Sequence, residues 1–311
     1  MNKDQTGFLR IIRAPFLSSI YAPLLLGTLI AVYISNTFSV AGFMLVLIMG
    51  TGLHIATNVY NDIYDTIQGT DKVNVHRNEF SGGSGVLLDN PQLMPRLYRI
   101  TRVSLLVALA ATIVLSFVID KKLLPHLWAL YLLSAFFSKY YTAAPIKLAY
   151  RGWGEVSVWF AFGPMAILVA AVSQGVGFHH VVITAMPITG ISTSSILLLG
   201  QLIDLDADIK GGKLGVAARL GTSVTKWIYL IVQLILLATV LILALILVTK
   251  GYFLLLAVIP YVFLLPKIWK IVRVHHNNPD ELKKAAGYNV QLHLLFSAFF
   301  IIGWILINVF N

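Results

Sequence analysis

His54-Ile55-Ala56-Thr57-Asn58-Val59-Tyr60-Asn61-Asp62-Ile63-Tyr64-Asp65 closes an apolar run that begins near residue 40. Its polar positions are three, four and seven apart, so one helix carries Asn58, Asn61, Asp62 and Asp65 on a common face, with His54 one turn deeper. The run before them is long enough to cross a bilayer. A second stretch repeats the arrangement, with Gln201-Leu202-Ile203-Asp204-Leu205-Asp206-Ala207-Asp208 ending another apolar run. Asp204 and Asp208 are one turn apart and share a face with Gln201, whereas Asp206 points elsewhere and is expected in solvent. Only 13 of 311 residues are Asp or Glu, and six of those are Asp62, Asp65, Asp71, Asp204, Asp206 and Asp208. Charge at the end of a membrane helix is costly, and its presence there points to function.

Outward from these stretches the composition agrees. Apolar residues make up 58% of the chain, charged residues 12%, and mean hydropathy is +0.82. A soluble domain needs far more polar surface than that. Apolar runs near spanning length fall at about 15–34, 40–61, 100–119, 124–141, 153–174, 180–203, 225–248, 251–272 and 288–310, roughly nine helices in an all-α polytopic membrane protein. No linker or repeat array interrupts them, so residues 1–311 read as one transmembrane domain. The N-terminal run reads as the first span, not a removed signal. With no cysteine, disulfides, thiolate metal sites and a cysteine nucleophile are excluded.

A net charge of +10 suggests nucleic acid only until the basic residues are placed. With nine crossings, all but Lys121, Lys122 and Lys250 of the 23 Lys and Arg fall on one side of the membrane. Positive residues mark cytoplasmic loops, so this side is the cytoplasm and no nucleic-acid partner is expected. The N-terminus and both acidic stretches fall on it, and the C-terminus falls outside. The expected location is a bacterial inner membrane, in contact with membrane lipid.

Two opposed faces would bring four carboxylates to one cavity, where they repel strongly unless neutralised. Carboxylates of this kind suit Mg²⁺, and Mg²⁺ suits a diphosphate. Lys72, Arg77, Lys147 and Lys213 lie on the same side and are able to meet remaining phosphate charge, or to serve as ordinary positive-inside residues. The loop at about 66–99 contains Ser81-Gly82-Gly83-Ser84-Gly85, either a cover for phosphate through its backbone N–H groups or a plain connector. His54 reads first as a packing histidine with its hydrogen bonds satisfied, and second as a wall of a ring pocket or a proton acceptor. Glu155 reads equally as an acceptor-orienting base and as a helix-start residue.

The chain resembles the UbiA superfamily of intramembrane prenyltransferases. The matching pieces are Asn61-Asp62-x-x-Asp65-x-x-x-Gly69-x-Asp71, Tyr141-Thr142-Ala143-Ala144-Pro145-Ile146-Lys147, Gly152-Trp153-Gly154-Glu155, and Asp204-x-x-x-Asp208 followed by Gly212-Lys213 and Val216-Ala217-Ala218-Arg219-Leu220-Gly221. The resemblance implies nine helices around a central cavity, under a cytoplasmic cap. It implies Mg²⁺-dependent transfer of a polyprenyl group from polyprenyl diphosphate to an aromatic acceptor through an allylic carbocation. By position, Asp62, Asp65, Asp204 and Asp208 hold Mg²⁺ and are the catalytic carboxylates. Asn58, Asn61, Arg77, Tyr141, Lys147 and Lys213 contact diphosphate or order the ligands, and Asp71 is a metal ligand or a loop anchor.

Within the superfamily the pattern is nearest to the dihydroxynaphthoate (menaquinone) branch, through Tyr141-Thr142 and the residues near 213–216. It departs from that branch in having Gly200-Gln201-Leu202-Ile203 before Asp204 and Lys213-Leu214-Gly215 after Asp208. The departures leave the acceptor open between dihydroxynaphthoate, another aromatic and none at all, the last being a membrane terpene cyclase. A membrane transporter is a third reading, against which the acidic residues cluster at one face and not at the midplane.

Overall fold

The computed structural model describes residues 7–76 and 83–311. The long helices are α1 (Ala14–Ser35), α2 (Val40–Gln68), α3 (Pro91–Leu115), α4 (Leu124–Tyr140), α5 (Gly154–Ser173), α6 (His180–Ile203), α7 (Thr222–Ile246), α8 (Gly251–His275) and α9 (Pro279–Val309). Among the described residues there is no strand, and eight of these helices are long and apolar enough to cross a bilayer. The ninth, α4, has 17 residues, at the short end of the spanning range. The chain is an integral, multi-pass membrane protein.

Local chemistry sets the helix ends that matter for the site. Ser39 starts α2 by accepting a hydrogen bond from Gly42 N–H at 3.0 Å, which satisfies one of the free donors of a helix N-terminus. The helix runs beyond residue 61, where hydropathy alone would end it, to Gln68, so Asp62 and Asp65 are both helical. Gly69 then reverses the chain at φ +88°, a conformation that favours glycine, into the short helix Thr70–Val73. On the opposite wall α6 stops at Ile203. Asp204 breaks the helix, and a short helix, Leu205–Lys210, follows. Asp208 N–H still donates to Asp204 C=O at 2.8 Å, so the one-turn relation between the two aspartates survives the break.

Packing wraps the helices into a ring. α2 lies along α3, α1 along α5, α6 along α7, α8 along α9, and α9 packs back against both α6 and α1. Close approach depends on small residues, as in other membrane bundles. A Cβ at Gly27 on α1 would lie 2.4 Å from the Ile167 carbonyl oxygen on α5, and one at Gly190 on α6 would lie 2.1 Å from that of Trp159. α5 is not uniform, because residues Ala161–Met165 around Pro164 form a π-helical turn. Proline has no N–H to give to the preceding turn, and Thr189 Oγ1 donates to the Phe162 carbonyl at 2.7 Å. This widened turn faces the interior.

Candidate active site

Two cavities meet inside the ring. The polar one, of about 200 Å³, lies where α2, α5 and α6 end. Asn61 and Asp65 line one wall, Gln201, Asp204 and Asp208 another, with Lys213, Asp71, Asn74 and Arg13 around the mouth. The second, of about 180 Å³, runs deeper between α1, α2, α4 and α5 and is walled by apolar side chains such as Leu24, Met49, Leu53, Phe137, Met165 and Val169. His54, Asn58, Asn61, Tyr141, Val158 and Phe162 line both. The two cavities therefore form one path with a polar head and an apolar tail.

The helical phase of α2 places its residues on this path. His54, Asn58, Asn61 and Asp65 form the stripe that faces it, spaced four, seven and eleven residues along the helix. Asp62 sits on the flank of the stripe and is 2 % exposed. One of its oxygens accepts a hydrogen bond from Ser84 N–H at 3.0 Å. Gly83 lies so close that a Cβ there would be 3.1 Å from Asp71 and 3.2 Å from Asp62. The described part of the glycine-rich segment is thus folded onto the acidic motif through its backbone.

Asp65 is held from two directions. Lys213 Nζ is 3.1 Å from one carboxylate oxygen, and the Tyr150 hydroxyl donates to the other at 2.6 Å. Thr70 Oγ1 is 2.8 Å from the same hydroxyl. Asn74 Nδ2 donates to Asp204 Oδ1 at 2.9 Å, tying the chain after the first motif to the second. Burial pushes the Asp208 carboxyl up to about 7, although the Lys213 ammonium works against that shift. Burial also disfavours the Lys213 charge, but the Asp65 and Asp208 carboxylates outweigh it and hold its pKa well above the ordinary lysine value. Asp206 is exposed, as its phase requires.

The remaining expected residues scatter. Tyr141 lines both cavities. Asn58 does too, and its Nδ2 donates to the Ile12 carbonyl at 3.2 Å. Lys147 is half-buried, with its Nζ 5.7 Å from the centre of the Tyr150 ring, and it does not line the polar cavity. Lys72 is exposed. Arg77 lies outside the described residues.

Two residues differ from the sequence reading. Glu155 is not on the cavity wall. Its Oε1 accepts from Gln201 Nε2 at 2.6 Å and from Val216 N–H at 2.7 Å, while Gln201 Oε1 accepts from Ala217 N–H at 3.3 Å. Together they cap the short helix Val216–Leu220 from outside, because its first N–H groups have no partner within the helix. Lys213 is three residues upstream of that capped turn. His54, read as a satisfied packing histidine, keeps Nε2 buried without a hydrogen-bond partner. Polarity in an apolar helix marked it in the sequence, but the missing partner is a fact of three-dimensional packing.

Hard-cation chemistry fits this donor set. Asn61 Oδ1 and Asp62 Oδ2 are buried oxygens without partners, and burial raises the pKa of the Asp208 carboxyl. Among the described residues no three His, Asp or Glu groups form a ready-made metal cage.

An acid-lined polar head on a greasy intramembrane path is what an enzyme of prenyl diphosphates requires. Residues 20–295 match the UbiA prenyltransferase family, and the chain belongs to it. Its curated relatives include two proteins named 1,4-dihydroxy-2-naphthoate octaprenyltransferase. The one from Mycobacterium leprae is 30% identical over 63% of this chain and 62% of its own length. The one from Mycobacterium tuberculosis is 28% identical over 60% of each. The chain thus spans about three fifths of the length of these relatives. Among solved structures, the apo form of a UbiA homologue from Aeropyrum pernix K1 has a TM-score of 0.66 at 15% identity, over 94% of this chain and 98% of that one. A UbiA homologue from Archaeoglobus fulgidus, bound to DMAPP and Mg²⁺, has a TM-score of 0.59 at 13% identity, over 98% of this chain and 100% of that one. These two likenesses establish the fold.

Proposed function

We propose that this protein transfers a polyprenyl group from polyprenyl diphosphate to an aromatic acceptor of the dihydroxynaphthoate type, as in the biosynthesis of menaquinone-like quinones. The observation that carries the reading is the continuity of the two cavities through His54, Asn58, Asn61, Tyr141, Val158 and Phe162. A prenyl diphosphate has the same division, a charged head and a long apolar tail. The names of the mycobacterial relatives support the naphthoate acceptor.

Asp62, Asp65, Asp204 and Asp208 would hold Mg²⁺, with Asp71 as a further ligand or an anchor for Gly83. Bound Mg²⁺ supplies charge stabilisation to the departing diphosphate. Lys213 adds a fixed cation, with Asn58, Asn61 and Tyr141 as polar contacts and Arg77 and Lys147 as cations of the surrounding cap. These groups stabilise the negative charge that grows on the bridging oxygen as its bond to the prenyl carbon breaks. The apolar walls exclude water from the allylic cation, which the electron-rich ring attacks. Loss of a ring proton, or of a ring carboxylate as CO₂, restores aromaticity. The cavity mouth, the N-terminus and the acidic motifs would face the cytoplasm of a bacterial inner membrane, because nearly all Lys and Arg lie on that side.

The test is diphosphate release by purified protein in detergent, with geranylgeranyl and longer diphosphates, with and without Mg²⁺ and dihydroxynaphthoate, and with products identified by mass. Release that needs both additions and yields a prenylated ring is expected. Acceptor-independent release with a cyclised product would replace the reading by that of a terpene cyclase, and no release under any condition would remove it.

A further inference from the structure

We propose that Arg13 recognises a carboxylate on the acceptor, which makes the acceptor an aromatic acid; the assignment rests on the transferase reading above. Arg13 directly precedes α1 and lines the polar cavity together with Phe16 and Ser19. Its backbone is left-handed, with φ at 53°. A residue with a side chain holds that conformation at a cost, and only where its surroundings impose it. Here the chain is anchored on both sides. Ile11 and Ile12 are buried, and the Ile12 carbonyl accepts a hydrogen bond from Asn58 Nδ2 at 3.2 Å. On the other side the Phe16 N–H donates to the Arg13 carbonyl at 2.9 Å. The guanidinium carbon stands 4.5 Å from the centre of the Phe16 ring, a cation–π contact that holds the side chain at the cavity wall.

Among the described residues, Arg13 and Lys213 are the Lys and Arg side chains that line the polar cavity, in company with Asp65, Asp71, Asp204 and Asp208. Lys213 is committed to Asp65 at 3.1 Å. The Arg13 guanidinium forms no ion pair and no hydrogen bond with a described residue. Its N–H groups make a planar fork that meets a carboxylate in two parallel bonds. A diphosphate also offers anionic oxygens, but it has no apolar face to set against Phe16. An aromatic acid offers both, a carboxylate for the guanidinium and a ring for the neighbouring aromatic side chain. The aspartates of the cavity repel such an acid unless a cation meets it, and Arg13 is the described cation not already paired. Asn58, which bonds the residue before Arg13, lines both cavities. The Arg13 wall therefore adjoins the junction where a prenyl diphosphate filling both cavities has its reactive carbon.

The experiment compares wild type with Arg13→Gln and Arg13→Lys in detergent, on dihydroxynaphthoate and on dihydroxynaphthalene, the same ring without the carboxylate. It measures KM and kcat for each acceptor, and the Mg²⁺-dependent binding of a non-hydrolysable prenyl diphosphate. Losing a hydrogen bond to a charged group costs about 10- to 100-fold in affinity. Arg13→Gln is expected to raise KM for dihydroxynaphthoate by about that factor. Its kcat/KM for dihydroxynaphthalene and its affinity for the diphosphate analogue are expected to match wild type. Arg13→Lys, which keeps the charge without the fork, is expected to fall between the two. An unchanged KM for dihydroxynaphthoate in Arg13→Gln, or an equal loss on both acceptors, overturns the assignment while leaving the transferase reading in place. Weakened binding of the diphosphate analogue in both variants also overturns it and moves Arg13 to the diphosphate. A wild-type protein that prenylates neither ring overturns both.

Discussion

Lys213 and Asp65 lie 148 positions apart in the chain and make an ion pair of 3.1 Å between Nζ and Oδ2. The pair joins the strap after the second acidic motif to the first motif. Removing one partner leaves a buried charge uncompensated. Lys213→Met is therefore expected to weaken diphosphate binding and to lower turnover by about 10²-fold, the scale seen when one transition-state donor is lost. Steady-state diphosphate release checks it, and a variant with wild-type kcat/KM would show that the pair is only structural.

The aspartates should separate by position. Asp62→Ala and Asp208→Ala are each expected to abolish Mg²⁺-dependent turnover while the protein still inserts in the membrane, because both are buried at the acidic end. Asp206→Ala is expected to retain most activity, and more than Asp204→Ala, since Asp206 is exposed and Asp204 lines the cavity. Activity assays on the four proteins, matched for membrane expression, give the order. The reverse ranking of 204 and 206 would contradict the arrangement of the second motif.

Glu155 holds the strap from behind. Its loss strands the Val216 N–H and the Gln201 amide, each at a cost of about 1–3 kcal/mol where buried. Glu155→Ala is expected to raise KM for prenyl diphosphate more than it lowers kcat, and to speed hydrogen exchange across residues 211–217. Unchanged exchange there would mean that Arg219, which donates to the Leu214 and Arg151 carbonyls at 2.8 and 2.7 Å, holds the strap alone.

A polar cluster remote from the site should affect stability and not catalysis. Asn289 Oδ1 accepts from Tyr229 at 2.9 Å and from Gln233 at 3.1 Å, and Tyr261 donates to Gln233 Oε1 at 3.0 Å. Interhelical polar bonds in membrane bundles contribute about 0.6 kcal/mol on average and up to ~1.7. Asn289→Leu is expected to lower stability by about 1 kcal/mol with kcat unaffected. Reversible unfolding in mixed detergent, run beside the activity assay, measures both.

The membrane spans and the two acidic motifs were legible in the chain because each follows from local pattern. Spanning length and the three-and-four spacing of polar residues need no knowledge of distant partners. The helix phase of α2 carried correctly to His54, Asn58, Asn61 and Asp65. It placed Asp62 with them, yet a residue 100° around a helix from its neighbour falls on the flank, and only Ser84 and Gly83 decide that it faces the loop.

What the sequence determined by itself is a multi-pass helical bundle with acidic groups gathered at one face. The tertiary structure decided which of those groups meet. Asp65 receives Lys213 and Tyr150, Glu155 turns from the cavity to cap the short helix Val216–Leu220, and His54 Nε2 is left without a partner. The physical reason is range, since hydropathy and helical periodicity act over a few turns. An ion pair or an unpartnered ring nitrogen depends on side chains brought together by packing from opposite walls of the ring.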